Sequence, residues 1–540
     1  MKTCPKRMDW AKSKALVADK KWRLRNLYTI SNKKGKLCKF VPNGVQEEFY
    51  SNLWWSNYVL KSRQHGLSTF TAILFLDRLL FEPDKKAGMI DYKLDDGKKK
   101  LAMMKLAYEH LDDQELHPDT WGIGHKIKER VQLIKGMDSP FPEELVFSNG
   151  SSVYTSTTMR GGTIQYLHVS EYGKISLSNP SKAIEIVEGA ENALHEGSIC
   201  IYETTHEGGR TGKAYELCKQ SMGNPRDINQ LTRLDARFHF FPWFLDEANT
   251  MPPEEAEKVG ITVEMQEYFA KVEEDATVPK LTTGQKAWFV KKKVRQGDGM
   301  LKEHPTTPEE AFMARIHGAI YGDLVAKARN EGRICNFPVA KEPIYAFFDL
   351  GISDSTTIIL GQFVGQEIRL IDSKEDTGEG IEYYGHHLKH WQQEHNRIVE
   401  TLYLPHDGGS RQLSTGRSLA DSLREMGFVV DVVPRTANIW IGVNHLREIF
   451  PRFWLNKDRL EAKWHDGSRE RASFIDCVEA YRTKPEEPGK QSTTAPIHDE
   501  YSHMCDALRT MGDAIKLGMV NKLVRTRMGR ARASLGNSMK

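Results

Sequence analysis

From about residue 40 to residue 209, segments with helical periodicity alternate with short apolar segments. Three of the apolar segments have the length of strands: KAGMIDYK (86–93), TIQYLHVS (163–170) and GSICIYETT (197–205). The pattern of VQEEFYSNLWWSNYVL (45–60) predicts a helix, and DGKKKLAMMKLAYEHL (96–111) predicts an amphipathic helix. Alternation of helices and strands predicts a parallel sheet that is covered by helices.

A second pattern starts at Ile344. Three consecutive strand-length segments, IYAFFDLG, STTIILGQFVG and QEIRLIDSKE, are separated by short turns, which predicts an antiparallel meander. A helix, a strand, a helix and a strand are expected next, in GIEYYGHHLKHWQQEH, TLYLPHD, SLADSLREMGF and VVDVVP. Three antiparallel strands followed by alternating helix and strand is the order of a ribonuclease H-like sheet. Residues 210–335 lie between the two patterns, and their polar composition predicts helices.

Length and composition agree with a multidomain globular protein. A chain of 540 residues is too long for one core, so we expect about two to four domains. The apolar runs are broken by charges well before the length of a bilayer span, and the first residues contain no apolar signal segment. The seven cysteines are scattered and form no C-x-x-C pair, which favours a reducing cytoplasm over a disulfide framework or a zinc site.

The net charge of +3 conceals two basic ends. Residues 1–40 carry 13 Lys and Arg against two Asp, and residues 515–540 contain no acid. Basic ends with weak periodicity are typical of arms that contact nucleic acid or an acidic partner. A merely solubilising role would fit either end equally well.

The stretch KSRQHGLST, which begins at Lys61, has part of the pattern of a phosphate-binding loop. Gly66 lets the backbone approach phosphates, and Ser68 or Thr69 could bind Mg²⁺ at the start of the helix TFTAILFLDRLLF. The usual lysine after the glycine is missing, so the cation would be Lys61 or Arg63, and we prefer Arg63. Because isolated turns of this composition are common, an ordinary turn remains an alternative.

Three later segments could complete a nucleotide site. The strand IQYLHVS ends at Ser170, which replaces the usual metal-binding aspartate, and Glu171 follows, where a carboxylate would activate water. Arg160, in the glycine-rich stretch TTMRGGT, could stabilise the charge of the transition state. Thr204 and Thr205 end the next strand, where a sensor of the γ-phosphate would lie. Taken singly, each segment could also be a polar turn.

Three acids stand out in the second pattern. Asp349 ends the first strand of the meander, Asp407 ends a later strand, and Asp506 begins a terminal helix with His503 one turn earlier. Carboxylates from strand ends and a helix can converge on Mg²⁺ or Mn²⁺, and a pair of ions would activate water at a phosphodiester. A single strand-end aspartate is more often a turn former, but three in this order favour a nuclease. Asp499 is the alternative to Asp506 as the third acid.

Together these motifs resemble those of the large subunit of the tailed-phage terminase, the motor that packages viral DNA. SRQ-x-G-x-ST resembles its variant Walker A motif, RGGTIQYLHVSEYGKI its Walker B region and ETTHEGGRTGKAYEL its coupling motif. FFPWF and EHPTTPEEAF resemble segments that link its two domains, and FFDLGISDSTT, LPHDGG and HDEYSHMCDALR resemble its nuclease motifs. The resemblance runs in order from about residue 40 to residue 515.

The resemblance implies an α/β fold with two catalytic domains. It divides the chain into five segments: a basic arm at 1–40, a P-loop ATPase domain of the ASCE type at 41–250, a helical connector or lid at 251–335, a ribonuclease H-like nuclease domain at 336–514 and a basic tail at 515–540. It implies ATP with Mg²⁺ in the first domain and Mg²⁺ or Mn²⁺, as two ions, in the second. Gln46 stands where the family places a glutamine that contacts adenine, and Arg160 would act on a neighbouring subunit.

The implied function is ATP-driven translocation of double-stranded DNA into a procapsid, with cleavage of concatemeric DNA when packaging starts and ends. The implied partners are this DNA, the portal protein of the procapsid, the small terminase subunit and further copies of the chain in a ring, without a membrane. The implied location is the cytoplasm of the infected bacterial host and, transiently, the portal, but not the mature virion.

Two other hypotheses remain open from the sequence. The chain could be a helicase-like nucleic-acid translocase whose C-terminal acids are structural. It could also be a non-enzymatic binding protein with a degenerate ATPase, because Leu67 and Ser170 depart from the usual pattern.

Overall fold

The computed structural model describes residues 10–158, 163–193, 197–275, 278–297, 299–312, 318–351, 355–411, 416–465, 470–483 and 495–520. The candidate Arg160, residues 1–9 of the N-terminal basic end and residues 521–540 of the C-terminal basic end therefore lie outside the described residues. The chain divides into two compact units, Met1–Ala314 and Arg315–Lys540. Across the described ranges, no helix has the length and apolar character needed to cross a membrane.

The first unit contains ten strands and fourteen helices among its described residues. The strands are β1 (Thr29–Ser31), β2 (Leu37–Lys39), β3 (Ser56–Lys61), β4 (Lys86–Ile90), β5 (Leu133–Lys135), β6 (Glu144–Phe147), β7 (Ser152–Ser156), β8 (Tyr166–Ser170), β9 (Ile199–Thr204) and β10 (Ala236–Phe241). The helices are α1 (Trp10–Ala18), α2 (Lys20–Asn26), α3 (Gly44–Ser51), α4 (Leu67–Phe81), α5 (Leu94–Glu109), α6 (Trp121–Arg130), α7 (Tyr172–Ser178), α8 (Pro180–Ala193), α9 (Gly212–Gly223), α10 (Pro253–Ala256), α11 (Val263–Val272), α12 (Thr283–Gln296), α13 (Gly299–Glu303) and α14 (Pro308–Phe312).

Eight of these strands form one sheet in the order β10-β3-β9-β8-β4-β7-β6-β5. The six strands from β10 to β7 are parallel, and β6 and β5 add an antiparallel edge. Strand β9 lies between β3, which leads into the phosphate-loop candidate, and β8, which leads into Glu171. An extra strand between these two is the defining feature of the predicted ASCE type of P-loop domain.

Helices cover both faces of this sheet, as parallel strands require because both of their faces are apolar. Helix α4 is buried along most of its length and packs with α5 in one apolar cluster, which includes Phe70, Leu74 and Leu101. Helices α7, α8 and α9 belong to a second cluster, which includes Ile175 and Cys218. The two clusters fix the sheet between them, so the ends of its strands are held in a defined arrangement.

The second unit contains nine strands and seven helices among its described residues. The strands are β11 (Ile334–Cys335), β12 (Ile344–Asp349), β13 (Ser355–Val364), β14 (Glu367–Thr377), β15 (Val399–Leu404), β16 (Val430–Val432), β17 (Phe453–Asn456), β18 (Trp464–His465) and β19 (Glu470–Arg471). The helices are α15 (Gly322–Asn330), α16 (Ile381–His395), α17 (Leu419–Glu425), α18 (Ile439–Ile449), α19 (Lys457–Leu460), α20 (Phe474–Ala480) and α21 (Ser502–Lys516).

Seven strands form the second sheet in the order β11-β17-β14-β13-β12-β15-β16. Strands β12, β13 and β14 are the antiparallel meander, whereas β15 and β16 run parallel to β12. Helices α16 and α17 contribute to the apolar cluster beside this sheet, and α21 packs on β12 and β13. The two strand orders confirm the predicted fold class, an α/β P-loop domain of the ASCE type followed by a ribonuclease H-like domain.

The structure corrects two expectations about elements. Residues 45–60 are not one helix, because α3 ends at Ser51 and the second half of the segment is β3. Residues 210–335 are not purely helical, because they include β10, an edge strand of the first sheet that pairs with β3. Both errors concern strands whose main partners are distant in sequence, and local composition does not report such pairing.

Candidate functional site

The phosphate-loop candidate connects β3 to α4. Gln64 and Gly66 both have positive φ angles, of 73° and 69°, so the backbone turns sharply before the helix begins at Leu67. Gly66 offers no side chain to cap α4, which leaves the first N–H groups of a 15-residue helix without a side-chain cap from this residue. Unsatisfied N–H groups and the positive end of the helix dipole form a typical site for phosphate.

Gln46 supports this loop from α3. Its Nε2 donates a hydrogen bond to the carbonyl oxygen of Gly66 at 2.9 Å, and its Oε1 accepts one from the N–H of Asn43 at 3.0 Å. The amide group is buried and contacts the backbone at both ends. The structure therefore shows Gln46 as a residue that positions the loop, and its predicted contact with adenine stays a prediction.

The two candidate phosphate cations differ sharply in their surroundings. The Lys61 side chain is 8% exposed, and its Nζ lies 3.3 Å from Oε1 of Glu203. The Arg63 side chain is 59% exposed and forms an ion pair with Glu303, whose backbone oxygen also accepts a hydrogen bond from the Arg63 N–H at 2.9 Å. Lys61 is therefore committed to a buried partner, whereas Arg63 lies at the surface of the loop.

Glu203 is the residue of this site that the sequence motifs missed. It lies inside β9 and is buried, with Ser68 Oγ donating to its Oε1 at 2.7 Å and His168 Nε2 lying 2.7 Å from its Oε2. Burial alone would raise the pKa of Glu203, but Lys61 and the hydrogen bond with His168 hold it well below its ordinary value. A charged residue within the apolar strand ICIYET was the available signal. Thr69, beside Ser68, is half-buried at the start of α4.

The predicted catalytic and coupling residues lie together at the same edge of the sheet. Glu171 directly follows β8 and has a left-handed backbone, with φ of 54°. Thr205 Oγ1 donates to Glu171 Oε2 at 3.4 Å, and Thr204 Oγ1 accepts a hydrogen bond from the N–H of Gly173 at 2.9 Å. The threonines at the end of β9 thus contact the carboxylate and the turn that follow β8. The carboxyl ends of parallel strands are where α/β sheets bind ligands.

In the second unit, the structure brings three of the predicted residues close together. Asp349 is the last residue of β12, and its Oδ2 lies 3.9 Å from Nδ1 of His503 on α21. Burial raises the pKa of Asp506, also on α21, to about 6, and the negative charge of Asp349 adds to this shift. Arg509 opposes it, because its Nε donates to Asp506 Oδ1 at 3.2 Å. Two carboxylates therefore interact unfavourably beside the start of α21.

The remaining predicted acids occupy different positions. Asp407 is exposed in the short 3₁₀ turn His406–Gly409, which follows β15, the parallel neighbour of β12. Asp499 precedes α21, and its Oδ2 lies 3.1 Å from the guanidinium of Arg482. Asp407 thus lies at the same edge of the sheet as Asp349, whereas Asp499 has a cationic partner of its own.

Glu375 is a further acid near Asp349 that sequence reasoning missed. In the meander, Asp349 pairs with Thr357 across β12 and β13, and Thr357 pairs with Glu375 across β13 and β14. Directly opposed residues share one face of a sheet, so both acids are on the face that bears this row. Burial raises the pKa of Glu375, and Asp349 contributes to the shift. Only the register of three strands reveals this neighbour.

The donor chemistry of this cluster suits a hard divalent cation. Within the described parts of the chain, no group of three or more His, Cys, Asp and Glu side chains is arranged to hold a metal ion. Asp349 and Asp506 nevertheless repel each other, and a cation between carboxylates offsets such repulsion. The oxygen donors fit Mg²⁺ or Mn²⁺ by type, with Asp407 as the third carboxylate at this edge.

Solved structures that this chain resembles include large terminases of bacteriophages, the family whose motifs the sequence resembles. The HK97 bacteriophage large terminase is 10% identical, with 93% of this chain and 99% of that chain covered and a TM-score of 0.41. The large terminase of a thermophilic bacteriophage in complex with ATP-gamma-S is 11% identical, with 87% and 98% covered and a TM-score of 0.27. The P22 large terminase nuclease domain is 16% identical, with 34% and 89% covered and a TM-score of 0.26. No protein-family model and no curated protein sequence matches the chain.

Proposed function

We propose that the chain is a terminase large subunit. It uses ATP to move viral double-stranded DNA into a procapsid, and it cuts concatemeric DNA with a metal-dependent nuclease when packaging starts and ends. The main observation behind this proposal is that the predicted nucleotide-site residues follow three adjacent parallel strands at one edge of the sheet. The loop follows β3, Glu171 follows β8, and Thr204 and Thr205 at the end of β9 contact Glu171 and the turn after it. Its partners are DNA, the portal protein, a small terminase subunit and further copies of the chain in a ring.

The first unit is the ATPase in this proposal. The loop N–H groups and the start of α4 bind the phosphates, and the exposed Arg63 is the phosphate cation, since Lys61 is held by Glu203. Ser68 and Thr69 hold the Mg²⁺ of the nucleotide, which neutralises phosphate charge when bound. Glu171 orients the attacking water and accepts its proton, and Thr205 links Glu171 to β9.

The second unit is the nuclease in this proposal. Asp349, Asp407 and Asp506 hold Mg²⁺ or Mn²⁺, with His503 beside Asp349. The bound ions would lower the pKa of water and stabilise the leaving oxygen of the phosphodiester. Asp506 is preferred to Asp499, because the charge of Asp349 acts on Asp506.

ATP hydrolysis by the full chain tests the first site. The assay contains DNA and procapsids, since an arginine such as Arg160 would act from a neighbouring subunit in a ring. We expect Glu171→Gln to lower the rate by about 100-fold or more, because a positioned base contributes roughly 10²–10⁴ to the rate of proton transfer. Glu129→Gln, which changes an exposed acid on α6 that pairs with Lys126, is the control. A Glu171→Gln protein that hydrolyses ATP at the control rate would contradict the ATPase proposal.

Cleavage of plasmid DNA in Mn²⁺ tests the second site. We expect the full chain to cut, and Asp349→Ala to abolish cutting, because a carboxylate that holds metal is lost. Asp513→Asn, which changes another buried acid on α21, is the matched control and keeps the activity. The contact of Arg509 with Asp506, in which a cation already compensates this acid, favours one second candidate, a helicase-like translocase without nuclease activity. Cleavage that persists in Asp349→Ala would support that candidate.

A further inference from the structure

The end of β8 lacks a group that phosphate-loop enzymes use. In these enzymes Mg²⁺ is held by the hydroxyl of the loop Ser or Thr together with an aspartate at the end of the Walker B strand. In this chain Ser170 occupies that position and is buried. A hydroxyl carries no charge and is a weaker Mg²⁺ ligand than a carboxylate. The first site therefore has the loop hydroxyl but no acid at the usual strand end.

The neighbouring strand supplies a carboxylate at the same level. Ser170 on β8 and Glu203 on β9 are directly paired in the parallel ladder. Paired residues of adjacent strands direct their side chains to the same face of the sheet. The Glu203 side chain thus starts one strand away from the position that the missing aspartate would occupy, on a strand that also pairs with β3.

The contacts of Glu203 aim this carboxylate at the loop. Its Oε1 accepts a hydrogen bond from Ser68 Oγ at 2.7 Å, and the Lys61 Nζ lies 3.3 Å from the same oxygen. Its Oε2 lies 2.7 Å from His168 Nε2, and the side chain is 1% exposed. Lys61 and His168 compensate the buried charge and fix its orientation, and Ser68 is the hydroxyl that is expected to bind Mg²⁺.

We propose that Glu203 replaces the missing Walker B aspartate, so that Ser68 and Glu203 together form the Mg²⁺-binding part of the nucleotide site. This inference rests on the proposed ATPase function. It assigns Lys61 a positioning role for Glu203, not a contact with phosphate. It also explains why an aspartate at position 170 is not required, because the carboxylate comes from the adjacent strand β9 and is hydrogen-bonded to Ser68 on the loop.

Binding of a fluorescent ATP analogue to the full chain, with Mg²⁺ or with EDTA, tests this inference. In the wild type we expect Mg²⁺ to raise the affinity for the analogue. In Glu203→Gln we expect this Mg²⁺-dependent gain in affinity to be at least tenfold smaller than in the wild type. Its affinity for the analogue in EDTA should stay within about threefold of the wild-type value. The double variant S170D/E203Q returns a carboxylate to the usual strand and is expected to recover most of the gain. Glu203→Gln with the full Mg²⁺-dependent gain would overturn the inference.

Two further variants separate this role from a purely structural one. Ser68→Ala buries no unpaired charge, and we expect it to lose the same Mg²⁺-dependent gain, with no further loss in S68A/E203Q. Additive losses would overturn the inference, even if Glu203→Gln alone folds poorly. Asp77→Asn disrupts a buried ion pair with Arg23 elsewhere in this unit and should lower stability without changing the Mg²⁺ dependence. A wild type that binds no analogue in either condition would instead contradict the proposed function itself.

Discussion

The two candidate sites differ in how far the charge of a buried carboxylate is compensated by neighbouring groups. In the first unit the buried acid Glu203 has Lys61, His168 and Ser68 as partners, and its pKa is held well below the ordinary value. In the second unit Asp506 remains close to Asp349, and its pKa is raised to about 6 although Arg509 contacts it. The first carboxylate is neutralised by the protein, whereas the second still lacks part of its counter-charge.

This difference suits the two chemistries. A nucleotide arrives with Mg²⁺ already on its phosphates, so the first site needs a carboxylate that is fixed in orientation and has no need to attract a cation from solution. A nuclease that takes metal ions from solution needs carboxylates that are incompletely compensated, because a cation then gains energy by binding.

The largest stability effect is expected at Lys61. Lys61→Met leaves Glu203 buried with one fewer partner, and breaking a buried ion pair costs about 3–5 kcal/mol of unfolding free energy. Arg63→Met removes an exposed pair and should cost less than about 1 kcal/mol, while lowering ATP turnover by about 100-fold. Urea unfolding and phosphate release measure the two effects. The reverse pattern, with Arg63 structural and Lys61 needed only for turnover, would contradict our assignment of the cation.

The next effect is a pH dependence in the second unit. Because the pKa of Asp506 is about 6 when folded and the ordinary value is 3.8, the folded state binds more protons between these values. The unfolding free energy of this region should therefore fall as the pH rises from about 4 to about 6, by on the order of 2 kcal/mol. Hydrogen exchange of α21 in EDTA, corrected for intrinsic rates, measures the change.

Two variants test the origin of that pH dependence. Asp506→Asn should remove most of it, because the titrating group is gone. Asp407→Asn, an exposed acid at the same edge of the sheet, is the control and should keep it. Equal protection of wild-type α21 against exchange at pH 4.5 and pH 7 would show that the pKa of Asp506 is not raised in the folded state.

The smallest effect concerns the loop itself. Gly66 has φ of 69°, and a Cβ there would lie 2.8 Å from Gln46 Nε2, so Gly66→Ala should cost about 1 kcal/mol or slightly more. Gln46→Ala should cost about 1 kcal/mol through the lost hydrogen bond to Gly66. The double variant should lose less than the sum, because the crowding disappears with the glutamine. Strict additivity in a double-mutant cycle would show that Gln46 does not position the loop.

Much of the architecture could be predicted because it follows from local patterns. The meander of β12, β13 and β14 has short turns and apolar strands, and α5 shows a clear apolar face that includes Leu101 and Met104. The strand β3 was hidden because α3 ends only five residues before it, at Ser51, and the apolar run continues. The strand β10, ARFHFF, alternates apolar residues with Arg237 and His239 as a strand does, but it was grouped with the polar residues on either side of it.

The same distinction applies to the sites. Glu171, Thr205 and Asp349 could be found because they stand at strand ends, a position that sequence patterns mark. Glu203 and Glu375 could not be assigned in this way, because their roles depend on the register between strands. Register is set by contacts between segments that are far apart in the chain, and a single sequence does not display it.

The central claim is that one chain carries two separate active sites, and a crossed assay tests it most directly. Glu171→Gln and Asp506→Asn are each measured for ATP hydrolysis with DNA and procapsids and for plasmid cleavage in Mn²⁺. The account predicts that Glu171→Gln loses hydrolysis but cuts plasmid at the wild-type rate, and that Asp506→Asn loses cleavage but hydrolyses ATP normally. Folded variants that lose both activities together, or that lose neither, would contradict it.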